Sequence, residues 1–127
     1  MNKSVFLLLM IIFFGCSSSD DSQNNSSALN PPAWIQGKWT MGEGDAQSGY
    51  EFKSNDWCIT GTGLSTCWKS TLENSNGQFT ADETIKDNSY TTKFNVGGAT
   101  QTYTFIKMSA TQIKGSSPMG SSIYTKE

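Results

Sequence analysis

The chain has 127 residues, which is enough for one globular domain. Only 16% of the residues are charged and the formal net charge is −2, so there is no basic excess to neutralise nucleic-acid phosphates. The sequence has no histidine, and all nine of its basic residues are lysines. It therefore lacks the commonest general base, the commonest metal ligand and the guanidinium group that clamps anions.

The first fifteen residues are typical of an export signal. Lys3 supplies a positive charge, and an uninterrupted apolar run extends from Val5 to Phe14. A helix of ten residues is about 15 Å long, whereas the hydrocarbon core of a bilayer is about 30 Å thick. The run therefore predicts the apolar region of a secretory signal peptide rather than a membrane-spanning helix.

The apolar run ends in Gly15 and Cys16, and this junction resembles the signal of bacterial lipoproteins. In that family the cysteine thiol receives a diacylglycerol, the chain is cut before the cysteine, and the new amino group is acylated. The resemblance covers residues 1–16, departs from the usual leucine at Phe13, and implies a signal peptide over residues 1–15. Two or more acyl chains would anchor Cys16 stably in a membrane. The alternative is an ordinary signal peptide with a chance cysteine.

Residues 16–32 have the composition of a flexible tether. Serine, asparagine and aspartate predominate, and Leu29 is the only bulky aliphatic residue, so little burial can offset the entropy of ordering. The pair Asp20 and Asp21, just after the cysteine, resembles the surface-export signal of lipoproteins in the Bacteroidetes. Together these features imply an outer-membrane location, on either the periplasmic face or the cell surface.

Residues 33–127 are expected to form an all-β domain. All fourteen threonines lie at position 40 or later, turn residues recur about every ten positions, and no stretch shows a sustained helical stripe. The predicted strands are 35–41, 49–53, 56–61, 64–71, 78–86, 89–96, 100–108, 111–114 and 121–126. Because the loops are too short for crossover helices, we expect a small antiparallel up-and-down β-barrel of about eight strands.

The first predicted strand carries Gly37 and Trp39, separated by one residue. This pattern, followed by a β meander, resembles the lipocalin and calycin barrels, and residues 33–127 are similar to the short lipocalin-like domains of bacterial lipoproteins. The resemblance implies that Gly37 admits the chain to the barrel bottom and that Trp39 plugs it. It also implies a cation from the last strand against the tryptophan ring. Because the chain has no arginine, Lys126 or Lys114 would supply that cation.

Two cysteines are placed symmetrically about residues 62–63. A two-residue turn there sets Cys58 opposite Cys67, within disulfide distance, and an oxidising compartment would favour the bond. Eight residues separate the cysteines and histidine is absent, so neither a Cys-x-x-Cys redox pair nor a zinc site fits. The same turn sets Trp57 opposite Trp68. These rings are either part of the barrel wall or an exposed stacking platform.

The remaining polar residues form no catalytic constellation. Asp82 and Glu83 are adjacent on a strand, so they point to opposite faces and cannot act as a pair across a cleft. Asp56, Glu43 and Asp45 lack the spacing of a calcium loop. No serine lies in a nucleophile elbow, and no glycine-rich stretch has the lysine of a phosphate loop. We therefore expect no enzyme activity, no metal site and no cofactor.

The aromatic residues are the strongest remaining functional signal. We expect a non-enzymatic, lipid-anchored domain that binds a small apolar ligand in the barrel interior or at its open end. The residues expected to line that site are Tyr50, Phe52, Trp57, Tyr90, Phe94, Tyr103 and Phe105. The alternative is a barrel packed solid, which contacts another envelope protein or a glycan through its loops.

Overall fold

The computed structural model describes residues 29–42 and 47–127, and these form an antiparallel all-β domain. The predicted signal peptide, Cys16 and most of the tether lie outside the described residues, as do Glu43 and Asp45. Within the described ranges, no helix has both the length and the apolar character needed to cross a membrane.

A short 3-10 helix, Ala33–Ile35, leads into nine strands and one α-helix. The elements are β1 (Gly37–Met41), β2 (Ser48–Phe52), β3 (Trp57–Gly61), β4 (Leu64–Cys67), α1 (Trp68–Glu73), β5 (Phe79–Ile85), β6 (Ser89–Val96), β7 (Ala99–Lys107), β8 (Gln112–Ser117) and β9 (Gly120–Lys126). The predicted strand at 89–96 is confirmed to the residue. Apart from the segment after Cys67, the ends of the other strands agree with the prediction or differ from it by at most three residues.

The nine strands form one sheet in the order β4-β3-β2-β1-β9-β8-β7-β6-β5, and every neighbouring pair is antiparallel. The sheet curls into a half-barrel because β1 also pairs with β9. The expectation of an antiparallel, barrel-like all-β domain is confirmed. The hydrogen-bonded ladder is interrupted, however, at a seam between β4 and β5.

Helix α1 lies at this seam, because β4 and β5 run in the same direction. Parallel neighbours cannot be joined by a tight turn, so the chain must return along the length of the half-barrel. Trp68 and Leu72 are one helical turn apart, and both pack against the hydrophobic core. The predicted strand 64–71 is therefore wrong after Cys67, because residues 68–73 form the helix that covers the seam.

The β3–β4 hairpin has the predicted turn and register. Cys58 lies opposite Cys67, and the two form a disulfide with a Cα–Cα distance of 3.9 Å. Thr62 and Gly63 both have positive φ values, as a two-residue hairpin turn requires. The disulfide expected from the symmetry of the sequence is thus present, and it ties the short edge strand β4 to β3.

Trp39 is buried on the inward face of β1, and the end of the half-barrel at which β1 begins is called the bottom. Its Nε1 donates a hydrogen bond to the carbonyl oxygen of Ile35 at 2.7 Å, which ties the ring to the 3-10 helix. Lys126, rather than Lys114, places its Nζ 5.5 Å from the centre of the Trp39 ring, as expected for a cation from the last strand. Gly37 makes room for this lysine, because a Cβ atom there would lie 3.0 Å from Lys126 Cε.

The ordered domain begins before Ala33, the boundary that composition indicates. Leu29 is fully buried in the core. The backbone N–H of Asn30 donates to Glu83 Oε2 at 2.8 Å, which fixes this segment against β5. The single aliphatic residue of the tether therefore contributes to folding, and the composition of the segment masked that role.

Gly49 provides a test of the curl of the sheet. A Cβ atom at this position would lie 1.9 Å from the Trp39 carbonyl oxygen and 2.9 Å from Thr40 Cα. We expect Gly49→Ala to lower the free energy of unfolding by about 3 kcal/mol, because the backbone of β1 must move. In the control Gly61→Ala, the nearest atom is Ser48 Cβ at 3.8 Å, so stability should hardly change. Urea denaturation followed by tryptophan fluorescence measures both; equal losses would contradict the close approach of β1 and β2.

Candidate functional site

The carboxylate of Asp56 has a structural role. Asp56, Cys58 and Cys67 bring three candidate metal-ligand atoms within 4.8 Å of one another. Both sulfur atoms belong to the disulfide, so no thiolate is left to bind a metal. Asp56 Oδ1 instead accepts hydrogen bonds from the backbone N–H groups of Trp57 at 2.8 Å and Lys69 at 2.9 Å. It thereby joins the start of β3 to the start of α1.

The seven residues expected to line a ligand site all lie in the core, and they contact one another. The rings of Phe52 and Phe105 are 4.8 Å apart between centres, those of Tyr50 and Phe105 are 4.9 Å apart, and those of Trp57 and Tyr103 are 5.1 Å apart. These are distances of edge-to-face packing. The aromatic side chains therefore fill the lower half of the half-barrel, next to Trp39.

Trp57 and Trp68 belong to this interior and not to an exposed platform. Trp57 is fully buried. Trp68 stacks on Phe94 with ring centres 3.8 Å apart, and its ring lies 5.9 Å from that of Trp57. Because α1 inserts Trp68 at the seam, the two tryptophans meet across the core. The predicted pairing of Trp57 with Trp68 across the hairpin is therefore wrong, because the ladder ends at Cys58 and Cys67 and Trp68 belongs to α1.

The opposite end of the half-barrel, which we call the mouth, has a different character. Ile59 stands opposite Tyr50, and Met41 lies two residues after Trp39, so both side chains share the inward face. Leu64 continues this face at the β3–β4 turn. These three side chains nevertheless remain 37%, 40% and 72% exposed, respectively. The mouth is thus bordered by inward-facing apolar side chains that remain accessible to water.

Three tyrosines form the floor of the mouth. Tyr50, Tyr103 and Tyr124 are 7–8% exposed, whereas the aromatic residues beneath them are completely buried. The rings of Tyr50 and Tyr124 are 5.0 Å apart between centres, and the Tyr103 hydroxyl donates to Gln101 Oε1 at 3.5 Å. Two of the predicted lining residues, Tyr50 and Tyr103, are therefore brought together at the boundary between packed core and mouth.

The floor of the mouth is electrically neutral. Burial raises the pKa of Tyr50 and of Tyr103, and the nearby Tyr124 raises the pKa of Tyr50 further. These two phenols therefore stay protonated and uncharged at neutral pH. The described residues that face inward at this end are Met41, Ser48, Ile59, Gly61, Leu64, Thr66, Phe79, Val96, Ala99, Gln101, Ser117, Gly120 and Ser122. None of these thirteen carries a charge.

Sequence reasoning missed Tyr124 and the rim residues Met41, Ile59 and Leu64. Tyr124 is in the last strand, two residues before Lys126, and strict alternation from that lysine would have placed it on the inward face. The rim residues carry no such signal. Alternation indicates which face they occupy, but only the packing around them decides whether that face is filled.

No protein family matches the chain, and neither a curated protein nor a solved structure matches it. A functional assignment therefore depends on the residues and the geometry of the chain itself. Among the described residues, the mouth is the place where exposed inward-facing apolar side chains lie close to tyrosine hydroxyls.

The tyrosine floor leads to a test by pH titration. Burial and the adjacent Glu83 raise the pKa of Tyr90 as well, so three of the four tyrosines have pKa values above the ordinary tyrosine pKa of about 10. We expect the phenolate absorbance of the folded protein to show these three ionising only above pH 10. Because the unfolded chain releases those protons first, stability should fall as the pH rises above about 10. Ionisation of all four tyrosines near pH 10 in the folded protein would contradict this arrangement; Tyr103→Phe should remove one of the late ionisations.

Proposed function

We propose that the protein is a non-enzymatic, lipid-anchored, lipocalin-like module that binds a small apolar ligand at the mouth. The observation that carries the proposal is the exposure of Met41, Ile59 and Leu64 on the inward face, above the tyrosine floor. A small barrel is normally filled by its inward side chains or holds one small ligand. A ligand in the mouth would cover apolar surface that the chain leaves in contact with water.

The chemistry of the mouth favours an uncharged ligand with a hydrogen-bond acceptor. Ile59 and Leu64 supply apolar surface, and the flexible side chain of Met41 adapts to ligand shape. The Tyr103 hydroxyl, which donates to Gln101 Oε1, would exchange this bond for one to an acceptor on the ligand. A charged group would lose its hydration there without an opposite charge to compensate, which makes its binding costly.

Three features of the barrel bottom support the lipocalin-like assignment. Gly37 and Trp39 begin the domain, and Lys126 of the last strand covers the tryptophan ring. The domain also departs from a closed eight-stranded barrel, because it has nine strands and a seam covered by α1. We attribute this departure to β4 and β5, which run parallel to each other. It does not alter the arrangement of Gly37, Trp39 and Lys126.

The carboxylates near the core make structural hydrogen bonds, and this supports the proposed absence of catalysis. Asp56 joins β3 to α1, while Glu83 accepts hydrogen bonds from Asn30 and from the hydroxyl of Tyr90. The proposed location at the outer membrane, on its periplasmic face or at the cell surface, follows from the lipoprotein-like junction at Cys16. A disulfide is common in proteins of such an oxidising compartment.

Ligand binding at the mouth is tested with the neutral apolar dye N-phenyl-1-naphthylamine and the unlipidated chain that begins at residue 17. We expect saturable dye fluorescence, and a dissociation constant about tenfold higher in Ile59→Ala, because burial of about two methylene groups is lost. Alanine at Trp57 or Tyr90 would be a poor test, since these fully buried side chains hold the core together. Ile106→Ala is the matched control, because Ile106 is 42% exposed on β7 and faces outward.

Dye binding that does not saturate would contradict a ligand site at the mouth. So would an equal weakening of dye binding by Ile59→Ala and Ile106→Ala. The alternative would then be favoured, namely a packed module that contacts an envelope protein or a glycan through its loops. A preserved near-ultraviolet circular dichroism spectrum shows that the variant is folded.

Lipid anchoring is tested by Cys16→Ser in a bacterium that produces the full chain. We expect the variant to lose incorporation of labelled palmitate and to leave the membrane fraction, because no thiol remains to be acylated. Ser17→Ala, the neighbouring control, should keep both properties. Membrane association of Cys16→Ser equal to that of the unaltered chain would show that the cysteine is not the anchor.

A further inference from the structure

A second concave surface lies on the outer face of strands β1 to β4, on the other side of the sheet from the mouth. It is a groove of about 610 Å³, within the range of about 300–1,000 Å³ that is typical of ligand sites. Most of its lining side chains are polar, and Leu64 is the only large apolar residue among them. The groove shares no aromatic residue with the core.

A row of small polar residues crosses the groove. Thr40 stands opposite Gly49, Gly49 opposite Thr60, and Thr60 opposite Ser65, so the row spans four strands. These residues alternate with the inward-facing Tyr50 and its neighbours, which places their side chains on the outer face. The hydroxyl groups of Thr40 and Thr60 therefore lie on either side of Gly49, which has no side chain.

Gly49 allows strand β1 to approach β2 closely beside the groove. The carbonyl oxygen of Trp39 would lie 1.9 Å from a Cβ atom at Gly49, which shows that β1 leans over β2 at this point. The disulfide between Cys58 and Cys67 fastens the opposite wall, where the β3–β4 hairpin ends. Both walls are strands held by covalent or backbone bonds, so the groove is formed before any ligand arrives.

Three charged side chains complete the lining. Lys38 stands opposite Glu51, and the backbone N–H of Glu127 donates to the Lys38 carbonyl oxygen at 2.9 Å. The ammonium group donates hydrogen bonds, the two carboxylates accept them, and the hydroxyls of Thr40 and Thr60 do both. The groove thus offers donors and acceptors close together, with little net charge.

We propose that this groove binds a neutral saccharide. Each sugar hydroxyl both donates and accepts hydrogen bonds, as the mixed lining requires. An anionic ligand would meet the carboxylates of Glu51 and Glu127 against a single ammonium group. An added peptide strand could not pair here, because the backbone groups of β1, β2 and β3 are already bonded to their neighbours.

This proposal does not rest on ligand binding at the mouth, because the groove is lined mainly by outward-facing residues, and Leu64 at the β3–β4 turn is the one residue that borders both surfaces. It is tested with the full lipidated chain in a zwitterionic detergent, since a detergent with a sugar headgroup would compete for the groove. The probes are the neutral trisaccharides maltotriose, cellotriose and chitotriose, titrated by calorimetry. The acidic trisaccharide of galacturonate serves as the charged comparison.

We expect saturable binding of at least one neutral trisaccharide, and a three- to tenfold higher dissociation constant in Thr60→Val and in Glu51→Gln. Each substitution keeps the side-chain shape and removes a hydroxyl or a charge, which is worth about 1 kcal/mol per hydrogen bond. Thr102→Val is the matched control, because Thr102 is an exposed strand threonine on β7, outside the groove. Asp82→Asn on β5 is the matched control for the carboxylate.

The proposal is overturned if no neutral trisaccharide binds at tens of millimolar, or if galacturonate trisaccharide binds more tightly than the neutral ones. It is also overturned if the control variants weaken binding as much as the groove variants do. Unchanged near-ultraviolet circular dichroism establishes that Thr60→Val and Glu51→Gln are folded. Loss of saccharide binding with unchanged dye binding at the mouth would separate the two sites.

Discussion

The parallel run of β4 and β5 is the constraint from which the rest of the architecture follows. Nine antiparallel strands in a ring leave one pair of neighbours pointing the same way, and a hairpin cannot join such a pair. Helix α1 carries the chain back along the seam and inserts Trp68 into the half-barrel. Trp68 stacks on Phe94, and the aromatic core is completed from the side where the sheet lacks hydrogen bonds.

This arrangement divides the half-barrel into a stabilising part and an open part. Trp39, covered by Lys126, is buried near the bottom and belongs to the core that the interlocking rings form. Tyr50 and Tyr103 mark the boundary, since their rings pack downward while a small part of each side chain stays exposed. The buried residues that stabilise the fold are therefore distinct from the rim residues, which remain exposed. The β3–β4 hairpin borders both the mouth and the outer groove.

Much of the β architecture could be predicted because its signals are local. Alternation over residues 89–96 gave β6, and the symmetry about residues 62–63 gave the pairing of Cys58 with Cys67. The cation on Trp39 followed from a resemblance and from the absence of arginine. Helix α1 could not be predicted, because six residues with only Trp68 and Leu72 on one face are too short for a helical period to stand out. The burial of Leu29 was hidden by the polar residues around it.

Length, composition and spacing by themselves determined an all-β chain without histidine or arginine, with one matched cysteine pair and a lipoprotein-like junction. These properties depend on residue types and on the spacing of residues close in the sequence, so they can be recognised without knowledge of the packing. Only the tertiary structure decided which aromatic residues fill the core and which border open space. That division depends on how far the sheet curls at Gly49 and on what covers the seam, and both are set by contacts between residues distant in the chain.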